Sequence, residues 1–296
     1  MASLSRARLW VAGARPRTLP AALVPVAVGA SCAAGEPGVA WWRVGLAAVV
    51  SLTLQVGVNY ANDYSDGVRG TDADRVGPLR LVGSGLVEPA RVKRAAMASL
   101  LVACCAGLVL ALLTTLWLVV VGLAAVLAAW FYTGGPRPYG YAGLGEVFVF
   151  VFFGLVATVG TTYVLSDTTP AASWWAGSAA GCLSCALLVV NNLRDIPGDT
   201  ESGKRTLAVR LGDRRTRSLF VVQFVAAALC VVVTATVTGA WALLGLAGVV
   251  AAAPAVRSVL GGATGPALVA VLGGVGRAQL VFGGTSALGI ALALAG

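Results

Sequence analysis

Long apolar runs separated by short polar ones leave this backbone very few solutions. In lipid every N–H and C=O must find its partner inside the protein, so a spanning segment is a helix or part of a closed barrel. Runs rich in Ala and Leu, with no strict alternation of apolar and polar residues, select helices. Of 296 residues, 58% are hydrophobic and 11% charged, against roughly 25% charged in a soluble domain. The expected fold class is therefore all-α: a multi-pass membrane bundle forming a single domain over 1–296. Counting apolar runs of about 17–25 residues gives about nine transmembrane helices, near 18–34, 41–60, 95–113, 115–132, 145–166, 172–192, 217–238, 240–260 and 275–295. The first of these is interrupted by Pro16, Pro20 and Pro25.

Charge orients the bundle. Arg69, Arg75, Arg80, Arg91, Lys93 and Arg94 fall between the second and third spans. Arg194, Lys204, Arg205, Arg210, Arg214, Arg215 and Arg217 fall in or beside the connection between the sixth and seventh. Arg43 lies on the other side. The positive-inside rule then places the N-terminus and these two connections in the cytoplasm, and the C-terminus outside. Residues 1–15 read as a cytoplasmic tail. The net charge of +9 follows from topology and anionic lipid and does not call for nucleic acid.

The two long inner connections are expected to cap the bundle after helices 2 and 6, and each opens on an acidic stretch. The first runs from Asn59 through Asn62, Asp63 and Asp66 to Asp72, directly after the apolar run Val44–Val58. The second holds Asn191, Asn192, Asp195 and Asp199. On a helix continuing from span 2, Gln55, Asn59, Asn62 or Asp63, and Asp66 recur at spacings of three and four and line one face. Asn191 or Asn192, Asp195 and Asp199 do the same, with Pro197 placed to kink or end the helix. A solvated charge cluster would explain one such stretch. Two stretches, four helices apart on the same membrane face, point to function. Carboxylates and carboxamides suit a hard cation such as Mg²⁺, which shares its shell with water and substrate phosphate oxygens. The metal would also reverse the repulsion between carboxylates and a phosphate. Arg69, Arg75, Lys204 and Arg205 could add positive charge for a diphosphate.

A third segment, Tyr132-Thr-Gly-Gly-Pro-Arg-Pro-Tyr-Gly-Tyr141, joins spans 4 and 5. Its glycines and prolines make it a structured turn, while Arg137, Tyr139 and Tyr141 would suit an acidic aromatic ligand. The chain has no histidine, which removes the commonest general base and zinc ligand. Its six cysteines all lie in apolar runs and read as small core residues.

These stretches resemble the UbiA superfamily of intramembrane aromatic prenyltransferases, and within it the branch acting on 1,4-dihydroxy-2-naphthoate. The matching text is Asn62-Asp-Tyr-Ser-Asp-Gly-Val-Arg-Gly-Thr-Asp72, Arg75-Val-Gly-Pro-Leu-Arg80, the Tyr132–Tyr141 segment with Gly143-Leu-Gly-Glu146, and Asn191-Asn-Leu-Arg-Asp195 through Gly203–Gly212. The resemblance covers about 14 to 290. It implies a UbiA-like bundle, Mg²⁺ as cofactor, and a metal shell drawn from Asn62, Asp63, Asp66, Asp72, Asp195 and Asp199, with Asp66, Asp195 and Asp199 catalytic. The superfamily pattern is Asn, Asp at +4 and Asp at +8. Here +8 is Gly70, so Asp63 and Asp72 both compete for the remaining place.

The implied reaction transfers a polyprenyl group from polyprenyl diphosphate to 1,4-dihydroxy-2-naphthoate, with loss of carbon dioxide, at the cytoplasmic face of a bacterial inner membrane. Asn59, Asn191, Asn192, Arg137, Tyr139 and Tyr141 are the candidates for holding the aromatic acceptor. Another acceptor, such as hydroxybenzoate or homogentisate, is the nearest alternative. A cation-coupled secondary transporter is an alternative of a different class, although the acids sit at helix ends rather than at mid-span.

Overall fold

The structure is a computed structural model that describes residues 5–70 and 79–295. Its described elements are helical throughout. A short amphiphilic helix, α1 (Arg6–Gly13), precedes α2 (Pro20–Cys32), α3 (Arg43–Arg69), α4 (Pro89–Leu113) and α5 (Trp117–Phe131). Then come α6 (Gly145–Ser166), α7 (Ala171–Glu201), α8 (Leu207–Thr238), α9 (Ala240–Leu260) and α10 (Gly265–Ala295). Among the described residues, seven helices (α3, α4 and α6–α10) are long and apolar enough to cross a membrane. The first and fourth expected spans are helical but shorter, at 13 and 15 residues. In the first, Pro20 sets the start, and Pro25 sits inside a helix that continues past it.

Helix α7 is the axis of the bundle. Of its most apolar stretch 78% is buried, against 28–39% for the other six spanning helices. Val24, Val28, Phe220, Phe224, Leu268 and Phe282, from α2, α8 and α10, pack with it into the largest core cluster. Close approach to α6 is built from glycine. A Cβ added to Gly154 would lie 2.5 Å from the Gly181 Cα, so bare backbone is required where the helices touch. Around that contact α6 winds as a π-helix over Phe150–Val156. Such stretches occur mainly at functional sites, and this one carries Phe152, Phe153 and Val156 on the wall of the central cavity.

The connections after the second and sixth spans differ from the long loops read in the sequence. Helix α3 runs through the first acidic motif to Arg69. It ends on Gly70, whose left-handed φ of 73° lets its N–H return to the Asp66 and Gly67 carbonyls. Helix α7 likewise runs through Pro197 to Glu201. Proline removes one N–H donor and crowds the preceding turn, yet the last turn stays helical. The chain then turns over residues 202–206, and α8 begins at Leu207 with a break at Gly212 (φ 75°, ψ 171°). Much of the expected inner connection is thus helix. Each motif-bearing helix packs against the one that follows, α3 on α4 and α7 on α8.

The N-terminal segment is a docked element. Trp10 packs edge-on to Tyr60 with centroids 5.6 Å apart, and the Tyr60 hydroxyl donates to the Trp10 carbonyl. Gly13 lies where a side chain would strike Leu81 and Tyr60.

Candidate active site

A cavity of about 590 Å³ lies between α3, α6 and α7. At one end it is bordered by Asn62, Asp66, Asp195, Asp199, Lys204 and Arg80. Toward the far ends of α4, α5 and α6 its walls are apolar, with Leu110, Leu118, Val121 and Val164. The polar end of α3 is also its buried end, with Asn59, Asn62 and Asp66 at 3%, 6% and 3% exposure. This reverses the soluble pattern and follows from a membrane helix that aims its polar residues at the bundle interior.

Asp66 is the meeting point of three chain segments. Its Oδ1 accepts from the Tyr141 hydroxyl at 2.6 Å and from the Lys204 ammonium at 3.2 Å. The Arg80 guanidinium stands 3.9 Å from Oδ2. The Tyr141 ring lies under two cations, Lys204 at 4.7 Å and Arg69 at 5.4 Å, a geometry attractive to both. Lys204 is buried although it lies in the turn after α7, and its own N–H is held by the Asp199 carbonyl at 2.8 Å.

On α7, Asp195 is gripped by its neighbour. Arg194 donates through Nε to Oδ1 at 2.7 Å and through Nη2 to Oδ2 at 2.8 Å, a charge-assisted two-point contact. Asn191 joins this group, accepting from Arg194 at 2.9 Å and donating to Asp195 at 3.4 Å. Asn192 faces the other way and donates to Glu146 at 3.1 Å. Asn62 accepts from the Thr133 hydroxyl at 2.8 Å, which ties the first motif to the Gly-Gly-Pro turn.

The other expected site residues are held in different ways, some on the cavity wall and some away from it. Asp63 is fully buried, and its two oxygens accept from the backbone N–H groups of Leu81 and Val82 at 2.7 and 2.9 Å. It pins the chain returning toward α4 and does not border the cavity. Its competitor Asp72 lies outside the described residues, as does Arg75. Arg69 is turned onto the carbonyls of Thr133 and Gly135. Arg205 and Arg137 are exposed and away from the cavity wall. Asn59 borders the cavity but its amide is engaged by Ala14 and Thr18. Tyr139 also borders it, stacked on Phe148 at 3.9 Å with its hydroxyl on the Ala128 carbonyl. Burial holds that phenol above the ordinary tyrosine range, so it remains a donor and is no candidate base.

Residues not singled out from the sequence also reach the cavity: Arg15, Arg17 and Thr18 before α2, Arg80, and Arg194. Arg80 and Arg194 lay inside the motif text, but a basic residue in a basic connection carries no mark of burial. For the N-terminal residues, the proline interruptions beside them were the available signal.

An all-helical membrane bundle enclosing a cavity with acids at one end and hydrocarbon walls at the other defines the class. Solved structures share the fold. A UbiA homolog from Archaeoglobus fulgidus, solved with GPP and Mg²⁺, superposes with a TM-score of 0.64 at 15% identity, covering 95% of this chain and 99% of that one. The apo UbiA homolog from Aeropyrum pernix gives 0.64 at 16% identity, covering 94% and 96%.

The model of the UbiA prenyltransferase family matches residues 22–265, and the chain belongs to that family. It is 50% identical to the 1,4-dihydroxy-2-naphthoate octaprenyltransferase of Mycobacterium tuberculosis over 286 residues, 97% of this chain and 96% of that protein. The Escherichia coli protein of the same name is 39% identical over 228 residues, 72% of each chain.

Proposed function

We propose that the protein transfers a polyprenyl group from polyprenyl diphosphate to 1,4-dihydroxy-2-naphthoate, releasing carbon dioxide and giving demethylmenaquinol for menaquinone biosynthesis. The observation that carries this reading is the divided cavity, with motif carboxylates from α3 and α7 at one end and an apolar wall beyond. A substrate with a charged head and a hydrocarbon tail matches that division. Identity of 50% with the mycobacterial protein across 97% of the chain supports the naphthoate acceptor.

The donors at the polar end fit a hard divalent cation, since Asn62, Asp66, Asp195 and Asp199 all offer oxygen and border one end of the cavity. Among the described residues no three of His, Cys, Asp or Glu converge on a ready-made cage. Mg²⁺ keeps waters and takes substrate phosphate oxygens into its shell. When bound there, it would supply Lewis-acid stabilisation of the departing diphosphate.

The chain's own groups do the rest. Lys204, buried beside Asp66, adds charge for the diphosphate, and Tyr141 holds Lys204 from below. Asn191, Asn192 and Tyr139 border the space left for the aromatic ring. The apolar walls keep water from the allylic cation. The prenyl C–O bond breaks and the ring carbon bearing the carboxylate forms the new C–C bond. The bond to carbon dioxide then breaks, and its electron pair restores the aromatic ring. No external base is needed, which is consistent with a chain lacking histidine.

The multi-pass bundle belongs in a bilayer. We place it in a bacterial cell membrane with the N-terminus and the polar end of the cavity cytoplasmic and the C-terminus outside, from the basic residues clustered at those connections. The test is mass analysis of products from the purified protein, Mg²⁺, naphthoate acceptor and prenyl diphosphates of several lengths. A decarboxylated prenyl-naphthalenediol is expected. Turnover of hydroxybenzoate with none of naphthoate would overturn the acceptor, and ion flux in proteoliposomes without any product would overturn the class.

A further inference from the structure

Glu146 opens α6 in a place that packing alone does not explain. The residue is 8% exposed. Its Oε1 accepts from the Asn192 Nδ2 at 3.1 Å, while Oε2 is buried without a hydrogen-bond partner. A half-satisfied buried carboxyl is costly to a fold, and an apolar residue would fill this corner at less cost. The local backbone is already fixed, because the Glu146 carbonyl accepts from the Cys185 thiol on α7 at 3.1 Å.

What Glu146 does is decide which way an amide points. Its Oε1 takes the acceptor role toward Asn192, and a carboxyl oxygen in that role keeps the facing amide's NH₂ turned to it. Asn192 borders the cavity, and turning its NH₂ toward Glu146 leaves Oδ1 for the cavity. Neighbouring Asn191 has both amide atoms engaged within α7, by Arg194 and Asp195. Asn192 is thus the one of the two that keeps an acceptor atom for a ligand.

We propose that Glu146 is a positioning residue that locks the Asn192 carbonyl toward the cavity, where it accepts a hydrogen bond from a ring hydroxyl of the aromatic acceptor. As the ring gives up electron density its hydroxyl becomes a stronger donor, so this contact strengthens toward the transition state. The inference rests on the acceptor reading given above.

Two conservative variants separate reach from charge. Glu146→Gln keeps a carbonyl within reach of the Asn192 NH₂ and loses the charge. Glu146→Asp keeps the charge and, one methylene shorter, loses the reach. With the full-length protein in detergent or nanodiscs, Glu146→Gln should keep the KM for naphthoate within about twofold of wild type. Glu146→Asp should raise it by about tenfold, with the KM for prenyl diphosphate unchanged in both. The opposite order, equal effects in the two variants, or a parallel rise in the prenyl diphosphate KM would overturn the proposal. Wild-type protein that forms no naphthoate product would instead sink the acceptor reading, a result distinguishable from any difference between the variants.

Discussion

Lys204 and Asp66 stand 138 positions apart in sequence and meet at 3.2 Å, both buried, at the polar end of the cavity. The pair joins the helix of the first acidic motif to the turn after the second. A buried charge that loses its partner becomes a large local cost, so this contact ties the two motif-bearing segments together.

Asp66→Ala and Asp195→Ala should each lower turnover by at least about a hundredfold while the protein still inserts into membranes. Single-turnover assays on purified, monodisperse protein would check this. Full activity in either variant would remove that residue from the metal and diphosphate site.

Activity should fall to background when divalent metal is stripped by excess chelator and return on titration with Mg²⁺. A prenylation assay across metal concentrations reads this directly. Undiminished turnover in chelator would sink the cofactor assignment.

Asp63→Asn should behave differently from Asp66→Ala. The substitution disturbs the carboxylate that holds two backbone N–H groups, a loss of roughly 1–3 kcal/mol. Thermal stability should therefore drop while the Mg²⁺ concentration for half-maximal activity stays within about twofold. A large shift in that metal dependence with unchanged stability would assign Asp63 to the metal shell.

Tyr141→Phe removes the 2.6 Å contact to Asp66 but keeps the ring under Lys204 and Arg69. It should weaken prenyl diphosphate use by about tenfold, and Tyr141→Ala by more. Equal kinetics in the two variants would show that the ring contributes nothing.

Gly160 borders the cavity with open space where a Cβ would stand. Gly160→Phe should shorten the longest tail the protein accepts. Product masses from a ladder of prenyl diphosphates would reveal it, and an unchanged length profile would place the tail elsewhere.

The stripe on α3 was legible in the sequence because Gln55, Asn59, Asn62 and Asp66 follow helical spacing, and Gln55 does donate to Asn59 one turn on. The bundle class was legible from hydropathy. The extension of α7 through Pro197 was not, since proline's intrinsic preference argues for a stop and the helix continues past it although Pro197 is exposed. The grip of Arg194 on Asp195 was also hidden, because adjacent residues do not face each other on a helix and only a long side chain curling back allows it. Lys204 reads as an exposed loop lysine until tertiary structure brings Asp66 and Tyr141 to it. Asp63 stands only three residues before Asp66 on α3, and nothing local marks its different partners, because the chain it pins lies 18 and 19 positions away.

The π-helical stretch of α6 also acts as a gear between two fixed parts. Before it, Glu146 is engaged with Asn192. After it, the Thr162 hydroxyl is locked to the Gly29 carbonyl of α2 at 2.8 Å. A change of one residue in length between Phe150 and Val156 would turn one end against the other, by roughly 100° where the winding stays α-helical. Either the acid would leave its amide or the threonine would leave α2, so the segment is constrained in length as well as at Gly154.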